Sequence, residues 1–528
     1  MKKMMRLTVL SLVTLLSLSG LIGCSSNSAE TTTSNKQETA KESTEKTTKT
    51  SKLRVELLDF GDLPASEGTI DNNRWTKYVK EEALKFGVDV EFLVVPRNQE
   101  SDKINVLMAS GSAPDLIMTY DRNLFLNYAK MGGLTDLTPY MDKEGANIKK
   151  YFGDEFLKYG QVDGKQFSIP ARRASYATNG AFIRKDWLDQ LKLPVPQTIE
   201  EFYNTLKAFK DNAEALGTKD VIPMGMIPLG GTYNGMNVAL EAFAKTPTDE
   251  EIASVPIFLR EGALDGLKFM NKLYHEGLLN KEFGLDSNGQ KIKEQYANNQ
   301  VGFVANHSSY PWLDLSISTL RSKAPEADYV AFPGVKNKSG EIVMQQGLEI
   351  GFYNMVPKTS KNPEAAVKYL DWFVNEGGSK LFYGFEGEHY EMKDGKMVVI
   401  DPAHNAKTLK LGGWLATVYN MTADKDPAKQ RELLKNRITG KDGESYLAGI
   451  QTFEKAGKRQ VVFNAVPDMQ IKYGTALTKL TNDSLTQIMM ATPDKVESQY
   501  KKFVDEYMSA GGKDVMDEAK RLYAEMKK

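Results

Sequence analysis

Cysteine is all but absent: Cys24 is the only one in 528 residues. No disulfide can join two parts of this chain, so packing alone must hold its body together. Histidine is nearly as scarce, and His275, His307, His389 and His404 show no paired ligand spacing, so no metal site is expected from them. Neither sign of charge prevails. A formal net charge of −1 gives no basic face of the kind nucleic acid requires. Long apolar runs are missing too: the 17 residues LTVLSLVTLLSLSGLIG are interrupted by Ser, Thr and Gly, and about 20 apolar residues are needed to cross a bilayer. No 20-to-50-residue repeat occurs, and neither a Ser-nucleophile elbow nor an HExxH motif is present.

What is present begins with Lys2, Lys3 and Arg6 ahead of that apolar run, the layout of an export signal over residues 1–23. LIGC at its end resembles the lipobox of bacterial lipoproteins. That resemblance implies a diacylated Cys24 as the new first residue, and hence a membrane anchor. Removing three positive charges and no acid leaves the mature chain at −4. Residues 25–51 contain 14 Ser or Thr and no core-forming side chain. Such a segment cannot offset its ordering entropy by burial. Residues 24–52 are therefore expected to form a tether, with a coil length on the order of 30 Å.

From residue 53 the pattern changes. LRVELL and VDVEFLVV read as strands, and NNRWTKYVKEEALKF between them places Trp75, Tyr78, Val79, Ala83 and Phe86 on one helical face. A helix at SDKINVLMAS and a strand at DLIMTY follow, giving β-α-β-α-β and a parallel sheet. Ligands in such sheets sit beyond the carboxyl ends of the strands. Those ends are Asp59 and Phe60, Arg97 and Asn98, and Tyr120 and Asp121, which should share one rim. Further on, Asp163-Gly164 predicts a hairpin, Thr198 and Glu201 a capping box, and Asn362-Pro363 a helix start with its stop at Gly377. The 477 residues after the tether suffice for two or more cores.

Five blocks, ASGSAPDLIMTY, GGLTDLTPYM, DGKQFSIPARRASYATNGAFIRKDWLDQLKLPVPQTIEEF, NNQVGFVANHSSYPWLDL and VPKTSKNPEAAVKYLDWFVNEGGS, occur in an order that resembles extracellular solute-binding proteins of family 1. These are the maltose-binding-protein-like components of ABC importers. Length, lipobox and GFEGEHYEMKDGK are similar to the large Gram-positive lipoprotein subgroup. The resemblance implies an α/β, two-lobe periplasmic-binding-protein-like fold of type II, with the ligand cleft between the lobes. The first lobe would comprise residues 53–172 plus 331–374, the second 173–330 plus 375–528. It also implies an oligosaccharide ligand, separate ABC permease subunits and no cofactor; a monomer is expected.

A sugar site needs flat apolar faces and planar polar groups in a concavity. By resemblance, Trp312 is a stacking residue of the second lobe, with core packing at a helix start as its rival. Tyr120 matches an aromatic pocket position, with rim packing as the rival. Asp59 and Phe60 end the first strand in the same manner, against a solvated loop. Arg172, Arg173 and Tyr176 would occupy the first crossing between lobes. On an extended chain adjacent side chains point oppositely, so one arginine should face the ligand, to grip hydroxyls or a uronate, or else form an inter-lobe salt bridge. Tyr233 and Asn234 tip the Gly-rich loop GGTYNGMN, which lacks both phosphate-cradling patterns. Trp414 is similar in place to a late cleft tryptophan, with core burial the competing role, and Trp75 heads its helix at the first rim. GLDSNGQKIKEQ resembles a calcium loop through Asp286, Asn288 and Gly289, but Gly284 and Gln295 stand where carboxylates are needed, which favours a turn. The rival functions are a secreted glycosidase or lyase, and a peptide or siderophore receptor on the same scaffold.

Overall fold

A computed structural model describes residues 50–528, apart from 62, 64, 174, 228–234, 287–288, 314, 410, 413–414, 416–440 and 464–465. Cys24 with its flanking segments, Tyr233, Asn234 and Trp414 lie outside the described residues. Chain contacts separate Met1–Thr47 from Thr48–Lys528, and the latter is one unit.

In chain order the strands are β1 (Ser51–Asp59), β2 (Val88–Pro96), β3 (Ile117–Thr119), β4 (Gln161–Val162), β5 (Lys165–Gln166), β6 (Ser168–Arg172), β7 (Asn179–Arg184), β8 (Ile222–Met224), β9 (Val301–His307), β10 (Tyr329–Ala331), β11 (Met344–Gln346), β12 (Ile350–Met355), β13 (Tyr390–Lys393), β14 (Lys396–Val399) and β15 (Gly457–Arg459). β1 and β2 pair parallel from Ser51–Val88 to Asp59–Pro96. The crossover helix Arg74–Lys85 between them starts on a capping box: the Asn73 side chain accepts from the N–H groups of Trp75 and Thr76, and the Thr76 hydroxyl accepts from Asn73. A parallel bridge from Val55 to Leu116 brings in β3, which pairs antiparallel with β12, and β12 pairs antiparallel with β6. The carboxyl ends of β1, β2, β3 and β6 therefore share a rim with the start of β12.

The second sheet runs β10-β7-β9-β8. Each sheet has its own hydrophobic core. One includes Val55, Phe125, Ile169, Phe352 and Leu370; the other includes Phe182, Trp187, Phe303, Phe332 and Phe453. The chain passes from the first to the second between Arg172 and Asn179, and returns between Met344, in the second core, and Ile350, in the first.

This return is later than expected. Residues from 331 on are expected in the first lobe, yet β10 pairs antiparallel with β7, Ala331 opposite Phe182, and the Phe332 ring stacks 5.2 Å from that of Phe202. The departure expected near residue 374 is also displaced, because Leu381, Phe382, Leu409, Leu411 and Leu415 pack in the first core. Gly377 does not stop its helix. A π-turn, Phe373–Gly377, carries the chain into Gly378–Tyr383. A Cβ at Gly377 would lie 2.6 Å from the Trp372 ring, so this glycine permits a close approach; termination falls to Gly384, at φ +82°.

Other local readings hold. Asp163 (φ 50°) and Gly164 (φ 75°) turn the β4–β5 hairpin, both in the left-handed region that a two-residue loop demands. Thr198 and Glu201 form the capping box of helix Ile199–Asp211. Asn362 occupies the cap position of helix Pro363–Trp372, but its side-chain amide donates to Asp115 instead of capping. A further link between the cores is helix Asp468–Met490, with Ile471 against the first and Leu477, Leu485 and Ile488 in the second. Among the described residues no helix is long and apolar enough to cross a membrane.

Candidate functional site

At the shared rim of the first sheet, Arg97 follows β2 and Tyr120 follows β3, and the Arg97 guanidinium carbon lies 4.1 Å from the Tyr120 ring centroid. Glu100 fixes Arg97 from below, with an ion pair of 2.9 Å, and also accepts the Tyr120 N–H. The Glu100 carboxyl is raised by burial, against the lowering influence of Arg97. Beneath it, on β1, Glu56 accepts the Met118 N–H at 2.8 Å. Its carboxyl is pushed up to about 8, chiefly by burial, with Glu100 adding to the rise. Tyr120 also rests on Phe352, ring centroids 3.6 Å apart.

The two arginines of the crossing diverge. Arg172 turns into the first core, its guanidinium carbon 4.3 Å from the Phe156 ring centroid and one nitrogen donating to the Phe152 carbonyl. Arg173 turns the other way. Its Nε donates to the Ile350 carbonyl at 3.0 Å, its backbone N–H donates to Glu349, and its guanidinium lies 6.0 Å from the Tyr120 ring. Burial lowers its pKa, Arg97 lowers it further, and Tyr120 and Tyr446 oppose them. Tyr446, which acts on Arg173 through its charge, lies on helix Lys441–Ala456 and packs against the second core.

Trp312 stands behind Tyr446, their ring centroids 6.0 Å apart, and packs edge-to-face on Phe182 at 5.2 Å. It is only 7% exposed. Its indole N–H is buried without a hydrogen-bond partner among the described residues, as is Oδ1 of Asn306. Asn306 lies opposite Gly180 and Val304 opposite Phe182, so Asn306 and Phe182 share a sheet face. Two unmet polar atoms thus lie on the aromatic side of the second core, where hydroxyl groups could satisfy them.

Other predicted residues fall elsewhere. Trp75 is core: 2% exposed, stacked on Phe385 at 5.4 Å, with its N–H donated to the Thr408 carbonyl. Its cover comes from a segment more than 300 positions away, which helix position alone could not reveal. Asp59 accepts the Gly61 N–H in a local turn, and Phe60 packs partly buried on the first core. Tyr176 donates to the Glu454 carbonyl and lies under Arg459, fastening the crossing to the second core. Asp286 spends both oxygens on the N–H groups of Lys291 and Ile292 at a helix start, as a turn residue would.

Glu388, His389 and His404, unremarkable in spacing, come together with their ligand atoms within 4.8 Å. The donor set favours a latch over a cation site. Arg74 grips Glu388 with two bonds, 2.7 and 2.9 Å, and holds its carboxyl down at about 2. His389 Nδ1 accepts the Phe385 N–H, so its Nε2 carries the proton, toward the Thr408 hydroxyl.

The profile of the family described as bacterial extracellular solute-binding protein matches residues 67–380. Lipoprotein LipO of Bacillus subtilis (strain 168) is 25% identical over 462 residues, 84% of this chain and 87% of that protein. The polygalacturonan/rhamnogalacturonan-binding protein YtcQ of the same organism is 25% identical over 482 residues, 85% of this chain and 88% of that protein. In fold, the chain is similar to the Streptococcus pneumoniae ABC-transporter substrate-binding protein FusA solved with kestose, at a TM-score of 0.69 and 16% identity over 90% of this chain and 99% of that one.

Proposed function

The chain belongs to the bacterial extracellular solute-binding protein family, and on that premise we propose that it captures an oligosaccharide between its two cores and delivers it to the permease of an ABC importer. One observation carries this reading: Arg97 and Tyr120 of the first core lie at Arg173, where the chain crosses, and Tyr446 of the second core, with Trp312 behind it, is near enough to act on the Arg173 charge. Aromatic faces suit the C–H faces of sugar rings, and guanidinium forks suit their oxygens. A ligand touching both halves favours their closed arrangement over the open one by its differential contacts. The two halves of the described body would serve as the lobes, with ATPase and channel on separate proteins. YtcQ, named as polygalacturonan/rhamnogalacturonan-binding, and FusA, solved in complex with kestose, support a carbohydrate. Export, diacylation of Cys24 and a tethered monomer at the extracellular face of the cell membrane complete the proposal, in keeping with a lipoprotein relative. We read the protein as a carrier without a catalytic step.

The test is calorimetry and solution scattering of the full chain against an oligosaccharide panel. At least one glycan should bind and contract the molecule. Trp312→Ala should weaken that binding more than about tenfold; because this residue is nearly buried, Trp312→Phe serves as the packing control. No heat and an unaltered shape across the panel would refute the reading, and new reducing ends in the incubated glycans would favour an enzyme.

A further inference from the structure

Arg173 lacks what this chain gives its structural arginines. Arg184, in the second core, is paired with Asp186 at 2.6 Å, and Arg321 with Asp442 at 2.6 Å. Arg173 has no carboxylate within ion-pair distance among the described residues, and its side chain makes one hydrogen bond, from Nε to the Ile350 carbonyl. That single bond holds the guanidinium plane in place. The terminal nitrogens remain unmatched beside Tyr120, where a second guanidinium, that of Arg97, already lies 4.1 Å from the ring.

The acids nearby are committed elsewhere. Glu100 is paired with Arg97. Glu349, whose backbone carbonyl receives the Arg173 N–H, directs its carboxylate to Arg459 at 3.6 Å. Glu454 accepts the Ser175 hydroxyl. Two like charges beside one aromatic ring, one of them without a counter-ion, are unfavourable unless an anion arrives from outside. Burial and the presence of Arg97 both disfavour the charged form of Arg173, which a bound anion would reverse.

We infer that the ligand carries a carboxylate, held by Arg173 and Arg97 at the Tyr120 ring, and is therefore an acidic, uronate-bearing oligosaccharide. This rests on the oligosaccharide reading above and narrows it. A planar guanidinium matches a carboxylate in a two-point fork, which a neutral hydroxyl pair cannot match in strength.

The experiment titrates the full chain with galacturonate, glucuronate and mannuronate trisaccharides, each beside its carboxyl-reduced counterpart. At least one uronate should bind about tenfold or more tightly than its reduced form, with affinity falling as salt rises. Arg173→Gln should abolish that preference by weakening the uronate far more than the reduced sugar; Arg173→Lys, which keeps the charge but not the fork, should fall between. Thermal unfolding of both variants checks that they fold, and Arg97→Gln provides an independent second variant. Should neutral trisaccharides bind as well as the acidic ones, or the preference survive both substitutions, this inference is overturned while the carrier reading stands. Should neither acidic nor neutral glycans bind, the carrier reading falls, and this inference with it.

Discussion

Replacing Glu56 by glutamine should make the first core more stable at neutral pH and leave it nearly unchanged in mild acid. Glu56 is 1% exposed on β1, and its carboxyl is raised from 4.5 to about 8, mainly because burial penalises the anion. In the unfolded chain the group ionises above 4.5, whereas in the folded protein it keeps its proton until about 8. The folded state thus holds the extra proton across that window, and stability falls with rising pH by about 1.4 kcal/mol per unit. Its contribution is fully present below 4.5 and is lost as pH approaches 8. At pH 7 the loss amounts to about 3 kcal/mol, as an upper-end figure. Glutamine keeps an acceptor for the Met118 N–H and cannot ionise, so the variant escapes this decline. Hydrogen exchange of the β1 amides, compared between wild type and Glu56→Gln from pH 5 to 8, isolates the effect, because groups common to both cancel. A stability difference that stays constant with pH would mean Glu56 is ionised in the fold, and would sink the argument that burial dominates.

The latch over Trp75 should loosen in acid. Glu388 is held low by Arg74, while His389 is lowered by burial from 6.5, so unfolding takes up a proton at His389 and its contribution is lost as pH falls below that value. Amides of residues 385–408 should exchange faster than their intrinsic rates predict as pH drops from 7 to 5, and Arg74→Ala should cause the same opening at pH 7; protection unchanged in both would contradict the latch. Gly384→Ala should lower the thermal midpoint by several degrees, since its Cβ would fall 2.3 Å from the His389 ring at a φ of +82°; a neutral substitution would show that the turn can relax.

Local chemistry was readable wherever the deciding partner is close in sequence. Thr198 and Glu201 announce their helix because both halves of the capping box lie within one turn. Asp163-Gly164 announces its hairpin because few residues accept left-handed backbone. The rim was readable as well, since parallel strands place Arg97 and Tyr120 at the same end regardless of their partners. What failed depended on distant partners. Trp75 reads as a rim residue until Phe385 covers it. Ala331 and Phe332 read as part of the first lobe until β7 and Phe202 claim them. Gly377 reads as a stop, because a glycine that terminates and one that admits the Trp372 ring look alike in sequence. Tyr446 was missed because a tyrosine on an amphipathic helix carries no motif. Glu56 was missed because a strand buried on both faces gives no polar side on which to expect it.

The Arg172-Arg173 pair shows how one extended dipeptide can divide labour. Arg172 fastens the end of β6 to Phe152 and Phe156 of the first core, and Arg173, on the opposite side of the chain, is tied to Ile350 at the start of β12. Ser175 and Tyr176, just beyond, are already bonded to Glu454 on a helix of the second core. Arg173 therefore travels with Arg97 and Tyr120, while Trp312 travels with Tyr446 and Tyr176. On the carrier reading, closure carries the stacking surfaces of the second core toward a cationic surface already assembled on the first. Charge recognition then needs only one half and can precede closure; stacking needs both and must follow it. A two-step binding record, with a salt-sensitive first phase lost in Arg173→Gln and a salt-insensitive second phase lost in Trp312→Ala, is the kinetic signature this division demands.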